Sequence, residues 1–153
     1  MSEMNRVMVR VRGTQKDAAG EQHVIETAAE GTYTFRSGKH YIRYEDRSLS
    51  REKSTSTVLK FTKDSLLLLR KGAVESEQQF IAGQETHSTY RTPYGNLDLS
   101  AVTDRLSVVF DAVQGGQITL GYALAVNGAF QSDNTLQIAI EKIASKKQSI
   151  GGE

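Results

Sequence analysis

The sequence predicts an all-β protein: a single antiparallel up-and-down β-barrel of about ten strands. Three observations carry this. Polarity alternates with period 2 through most of the chain, as in Ile118, Leu120, Tyr122, Leu124 and Val126 against Gln117, Thr119, Gly121, Ala123 and Ala125, the pattern of half-buried antiparallel strands. Turn signals recur at intervals of roughly 8–12 residues. So many meandering strands in a chain of 153 residues also leave sheet edges that closure into a barrel removes. A sandwich is the second architecture.

The elements follow in order. Val7, Val9 and Val11 share one face of the first strand, with Met8, Arg10 and Arg12 on the other. After Asp17-Ala18-Ala19-Gly20, residues 24–35 read as a long strand in which Ala28-Ala29-Glu30-Gly31 predicts a bend or bulge. Ser37-Gly38 turns into His40, Ile42 and Tyr44, which alternate with Tyr41, Arg43 and Glu45. The polar stretch from Asp46 to Thr57 reads as a loop over one barrel end. Lys63-Asp64, Lys71-Gly72 and Ala82-Gly83 bound strands around Leu59-Lys60-Phe61, Leu66 to Arg70, and Gln79-Phe80. Leu66 to Leu69 are apolar on both faces, which predicts a strand covered on both sides. A polar alternating run, Glu85 to Arg91, precedes an apolar one, Leu97 to Phe110. Gln114-Gly115-Gly116 and Asn127-Gly128 separate the last strands, and Leu136, Ile138 and Ile140 alternate with Gln137, Ala139 and Glu141 in the final one. Helix formers between Ala139 and Lys147 also allow a short terminal helix, and Ser149 to Glu153 read as frayed. With no internal repeat or linker, residues 1–153 read as one domain with its core at about 5–143.

The only proline lies in Arg91-Thr92-Pro93-Tyr94-Gly95-Asn96. Proline fixes φ near −65°, and a glycine two residues later takes φ > 0 at little cost. This predicts a corner that sets the register between strands 85–91 and 97–110.

Several segments, taken in order, carry a family resemblance. They are Val7 to Arg12; Glu30-Gly31-Thr32-Tyr33; Tyr41 to Glu45; Leu59-Lys60-Phe61; Leu68 to Gly72; Gln79-Phe80; Tyr90 to Gly95; and Ile118 to Leu124. Together they resemble the YwiB-like family of small bacterial proteins, a domain of unknown function found mainly in Gram-positive bacteria. The resemblance spans nearly the whole chain and rests on the order of the segments, since no single one is distinctive. It implies a calycin-like barrel, related in shape to lipocalins and fatty-acid-binding proteins. It implies no activity and no catalytic residue.

Composition narrows the function classes. There is no cysteine, which removes disulfides, thiolate metal sites and a cysteine nucleophile and suits a reducing cytoplasm. No run of about 18 apolar residues exists, so no membrane partner is expected. The start, Met1 to Arg6, lacks an apolar core and predicts no signal peptide. Nineteen Lys+Arg against 18 Asp+Glu leave a net charge of +1, against the concentrated basic excess of a non-specific nucleic-acid binder. No Gly-x-Ser-x-Gly elbow, P-loop or dinucleotide fingerprint occurs. No catalytic residue, metal or cofactor is therefore expected, and an enzyme ranks below a binding protein.

The candidate site residues are Arg70 and the tyrosines Tyr41, Tyr44, Tyr90, Tyr94 and Tyr122. Arg70 ends the Leu66/Leu68 face, and a guanidinium there needs a compensating partner. The first expectation is an internal ion pair; the alternative is an anionic ligand. The tyrosines offer apolar rings and polar tips to a lumen. Glu85 and His87 are two apart on one strand face and read as a surface pair. The leading function is a cytoplasmic barrel that holds a small anionic or amphipathic molecule. The alternative is a homodimeric interaction module with a filled core, using Leu66 to Leu69 and the small face Gly121/Ala123/Ala125. A nucleic-acid-binding barrel using Arg6, Arg10 and Arg12 comes third.

Overall fold

Ten antiparallel strands close into a barrel in the computed structural model, which describes residues 5–50 and 52–143. They are β1 (Asn5–Asp17), β2 (Gln22–Arg36), β3 (Lys39–Asp46), β4 (Thr55–Phe61), β5 (Ser65–Lys71), β6 (Glu75–Ile81), β7 (Glu85–Thr92), β8 (Gly95–Asp111), β9 (Gly115–Val126) and β10 (Ala129–Lys142). Each strand pairs with its neighbour in sequence, and β10 returns to β1. The predicted up-and-down closure and strand number are those observed.

The barrel has a long wall and a short one. β2 pairs with β1 from Gln22 to Tyr33, but with β3 only from Gly31 to Arg36. β8 pairs with β9 from Leu99 to Asp111, but with β7 only from Gly95 to Val102. The sheet therefore turns within β2 and within β8. At the first corner a Cβ on Gly31 would lie 2.4 Å from the Arg43 carbonyl oxygen, so only glycine admits β3 there. The bulge expected at Ala28 to Gly31 is absent: the β1–β2 register runs through it unbroken. Close approach at a side-chain-free residue makes that corner instead. The bulge lies at the second corner, between Thr103 and Arg105. It moves the inward phase of β8 from Leu99, Ala101 and Thr103 to Leu106, Val108 and Phe110.

The proline corner is a tight hairpin. Thr92 faces Gly95 across the ladder, leaving Pro93 and Tyr94 as the loop. The Thr92 hydroxyl accepts the Tyr94 amide at 3.1 Å and donates to the Gly95 carbonyl at 2.8 Å. Gly95 has φ 134°, a conformation in which a β-branched residue is strained. Gly95→Val is expected to lower unfolding free energy by about 1–3 kcal/mol. Pro93→Ala should lower it by about 1 kcal/mol or less, through the freer unfolded chain. Urea titration of the two variants checks both.

The interior is divided. One half is filled with apolar side chains: Ile42, Leu59, Phe61, Leu66, Phe80, Ile118, Leu120 and Ile140 are each at most 1 % exposed. At its end Tyr33, His40, Phe61 and Phe110 stack or meet edge-on, with ring centroids 4.8–5.8 Å apart. The other half is polar. Within the chain, strands cover the Leu66–Leu69 run on the lumen side only. Leu66 and Leu68 are buried, but Leu67 and Leu69 are half-buried on the outer wall. A one-layer barrel leaves them only their cross-strand neighbours, Lys60 and Gln79, and Val58 and Glu77, as cover. β10 runs to Lys142; Ala144 to Lys147, where a terminal helix was considered, and the stretch read as frayed lie outside the described residues. Among the described residues no helix is long and apolar enough to cross a membrane.

Candidate binding site

Residues directly opposite in an antiparallel ladder share a face. Tyr44, Thr57, Arg70 and Ser76 are opposite one another in turn, and so form an inward row across β3, β4, β5 and β6. Thr103, Tyr122 and Asn134 form a second inward row across β8, β9 and β10. Arg70 acts electrostatically on both Tyr44 and Tyr122, which joins the rows across the lumen. Thr55, Thr57, Ser76, Gln78, Thr103 and Ser132 are all buried here. The Phe80 ring, centred 4.8 Å from that of Tyr122, marks the boundary with the apolar half.

Three buried polar atoms in this region have no hydrogen-bond partner: Arg70 Nε, Ser76 Oγ and Thr103 Oγ1. Such groups are uncommon in folded proteins and call for an explanation. The ion pair expected for Arg70 is not formed: among the described residues no carboxylate lies within 4.0 Å of it. Asp46 is near enough to act on Tyr44. Its Oδ1, however, accepts the Ser48 amide at 2.8 Å and the Ser48 hydroxyl at 2.6 Å. Burial pushes the Tyr44 hydroxyl up to about 12, although Arg70 opposes the rise. Burial likewise raises Tyr122, against the same guanidinium. Both phenols therefore stay protonated at neutral pH and remain donors.

Solvent reaches this half. Arg70, Tyr90, Tyr122 and Asn134 face inward, yet each is half-buried rather than buried. Beside them one ladder of the barrel wall is irregular. β6 and β7 share one ladder pair, Glu75 with Arg91, whereas every other neighbouring pair shares six or more. The Thr86 hydroxyl donates to the Gln79 carbonyl across the gap at 2.5 Å. Outside this seam lies a depression of about 480 Å³ lined by Leu67, Glu77, Gln79, Glu85, His87 and Arg91, among others.

The sequence-predicted site residues divide accordingly. Arg70, Tyr44 and Tyr122 come together in the lumen. Tyr90 lies on the same inner face, opposite Leu97 and two residues from Ser88, which faces buried Leu99. Tyr41 and Tyr94 do not line the lumen, and that expectation is corrected. Tyr41 points outward between Arg36 and Lys60, whose cationic groups lie 5.1 and 5.5 Å from its ring centre. Tyr94 is 97 % exposed at the tip of the proline hairpin. Ser76, Gln78, Thr103 and Asn134 were missed. Their signal is the inward phase of each strand, and for Thr103 it is hidden by the bulge.

Other candidates resolve as surface features. His87 and Glu85 lie 3.5 Å apart and exposed. Arg6, Arg10 and Arg12 are matched to Glu30, Glu141 and Glu26, so the stripe offers little uncompensated charge to a phosphate backbone. Asp17, Glu21 and His23 gather at the β1–β2 turn. There Asp17 Oδ1 accepts the Ala19 and Glu21 amides, which lower its pKa and order the hairpin.

The opposite end of the lumen holds a titratable group. Tyr33 Oη and His40 Nδ1 are 2.8 Å apart. Burial raises the Tyr33 pKa and lowers that of His40 below its ordinary 6.5. As pH falls below 6.5, the unfolded chain takes up a proton that folded His40 resists, so stability present above that pH is lost. Thermal melts between pH 7.5 and 5 should therefore show a smaller acid-induced fall in melting temperature for His40→Phe than for wild type.

The fold and site define a closed ten-stranded barrel with a filled apolar half and a polar half built around one arginine. Residues 9–138 match the family model described as "Domain of unknown function (DUF1934)", and the chain belongs to that family. It is similar to a protein described as "Uncharacterized beta-barrel protein YwiB" from Bacillus subtilis (strain 168), with 29 % identity over 123 residues, 80 % of this chain and 84 % of the relative. The crystal structure of the ywiB protein from Bacillus subtilis superposes with a TM-score of 0.81 at 25 % identity, covering 92 % of this chain and 94 % of that one.

Proposed function

We propose that the protein is a binding barrel that holds a small anionic molecule in its polar half, anchored by Arg70. The observation that carries this reading is the guanidinium itself: inward-facing, without a carboxylate partner among the described residues, its Nε buried and unpaired there. A half-buried guanidinium with a buried, unpaired donor is destabilising, and an anionic ligand would supply the missing charge and acceptor. The Tyr44 and Tyr122 hydroxyls, protonated at neutral pH, add donors beside it. The test is thermal denaturation in formate, acetate, phosphate and sulfate at matched ionic strength, comparing wild type with Arg70→Met. Anion-dependent stabilisation present in wild type and lost in the variant supports the reading; equal responses of wild type and variant to every anion overturn it.

A homodimeric interaction module is the second reading. It draws on an outer-wall depression of about 440 Å³ lined in part by Val102, Ala123, Ala125 and Phe130. Val102 and Phe130 are exposed on that face. Sedimentation equilibrium at high protein concentration tests it, a monomer counting against a dimer.

A further inference from the structure

Resting on the anion-binding reading, we infer that the ligand is a short-chain monocarboxylate, and that neither dianions nor long-chain acids are accommodated at Arg70. Three properties of the polar half lead there.

The first is donor excess. Arg70 Nε–H and the hydroxyls of Ser76 and Thr103 have no acceptor. The hydroxyls of Tyr44 and Tyr122 make no hydrogen bond with another described residue. Unsatisfied donors on the inward rows suit a group that only accepts, and an ionised carboxylate does so at about four lone-pair sites. Its planar geometry also matches the guanidinium fork.

The second is charge. Among the described residues, Arg70 is the one cation in the two inward rows, and Asp46 stands near Tyr44 with the opposite sign. One guanidinium compensates one negative charge. A second would be left unpaired in a partly buried site that already has the Asp46 carboxylate nearby.

The third is space. Phe80 and Leu66 are fully buried, and Phe61 and Leu59 nearly so, leaving no surface for a water-sized probe beside them. An acyl chain longer than a few carbons would have to displace this packing. The Phe80 ring, packed against Tyr122, closes the way at the boundary.

The experiment titrates propionate, lactate, sulfate and decanoate into wild type and Arg70→Met at constant ionic strength. Line broadening of the ligand proton signals by NMR reports binding of the three carboxylates directly, and displacement of propionate reports binding of sulfate. The expected result is saturable binding of propionate and lactate, with affinity at least about tenfold weaker in the variant and about tenfold weaker for sulfate in wild type. Decanoate should show no Arg70-dependent binding. Arg70-dependent binding of sulfate or decanoate as tight as that of propionate overturns this inference and leaves the anion-binding reading standing. No Arg70-dependent binding of any of the four overturns both. Should Arg70→Met not fold, the pair Ser76→Ala and Tyr122→Phe gives the same readout, each expected to weaken propionate by removing one donor and to leave decanoate unbound.

Discussion

Phe61→Ala is expected to lower the unfolding free energy by about 3–5 kcal/mol, the range for deleting a fully buried phenylalanine side chain. For a chain of this length that corresponds to a fall in melting temperature of roughly 6–20 °C. Phe61 is 1 % exposed, and its ring lies 5.0 Å from that of His40 and 5.2 Å from that of Phe110. β4 and β3 are held by backbone ladders on both sides, so the space can collapse only partly, and the lost contacts add to the lost burial. Differential scanning calorimetry measures the effect. A fall of less than about 1 kcal/mol would mean that the apolar half is not the close-packed core described.

Arg70→Met is expected to move stability the other way, raising the unfolding free energy of the ligand-free protein by about 1–3 kcal/mol. The physical reason is the unpaired Nε. Methionine keeps much of the side-chain volume, removes the charge and the orphaned donor, and adapts to an irregular site. Calorimetry in a buffer without small anions measures it. A structural arginine would give the opposite sign, because breaking a buried ion pair is destabilising. A gain in stability together with a loss of anion binding is the trade-off expected where a binding group is held in an unfavourable ligand-free state. The two substitutions thus separate the halves of the lumen: Phe61 belongs to the part that stabilises the fold, Arg70 to the part that is destabilising without a ligand.

Much of the fold was legible because a strand has only two faces. Tyr122 continues the row of Ile118 and Leu120, and both of those are fully buried. Arg70 continues the row of Leu66 and Leu68, and it does turn inward beside Tyr44 and Ser76. The same rule already separated Tyr41 from Tyr44: they are three residues apart and cannot both face inward from one regular strand. Counting tyrosines concealed that. Tyr94 belonged to the turn that Pro93 and Gly95 define, where a side chain meets solvent. Thr103 was not legible, because the bulge after it shifts the phase of β8 by one residue, and a bulge is set by the partner strand. Ser76 and Gln78 looked like ordinary strand polar residues. Nothing local distinguishes a buried serine from an exposed one until opposing strands are placed.

By itself the sequence determined the all-β class, the strand count, the proline hairpin and which residues of most strands share a face. These follow from period-2 polarity and from turn residues with restricted or unusual φ, which are local properties of the chain. Only the tertiary structure decided that Arg70 has no carboxylate partner among the described residues, that two polar rows face one lumen, and that β6 and β7 share a single ladder pair. Each of these depends on which strands lie opposite one another after closure, and on the register between them. Pairing is a relation between distant segments, and the alternation within one segment carries no record of it.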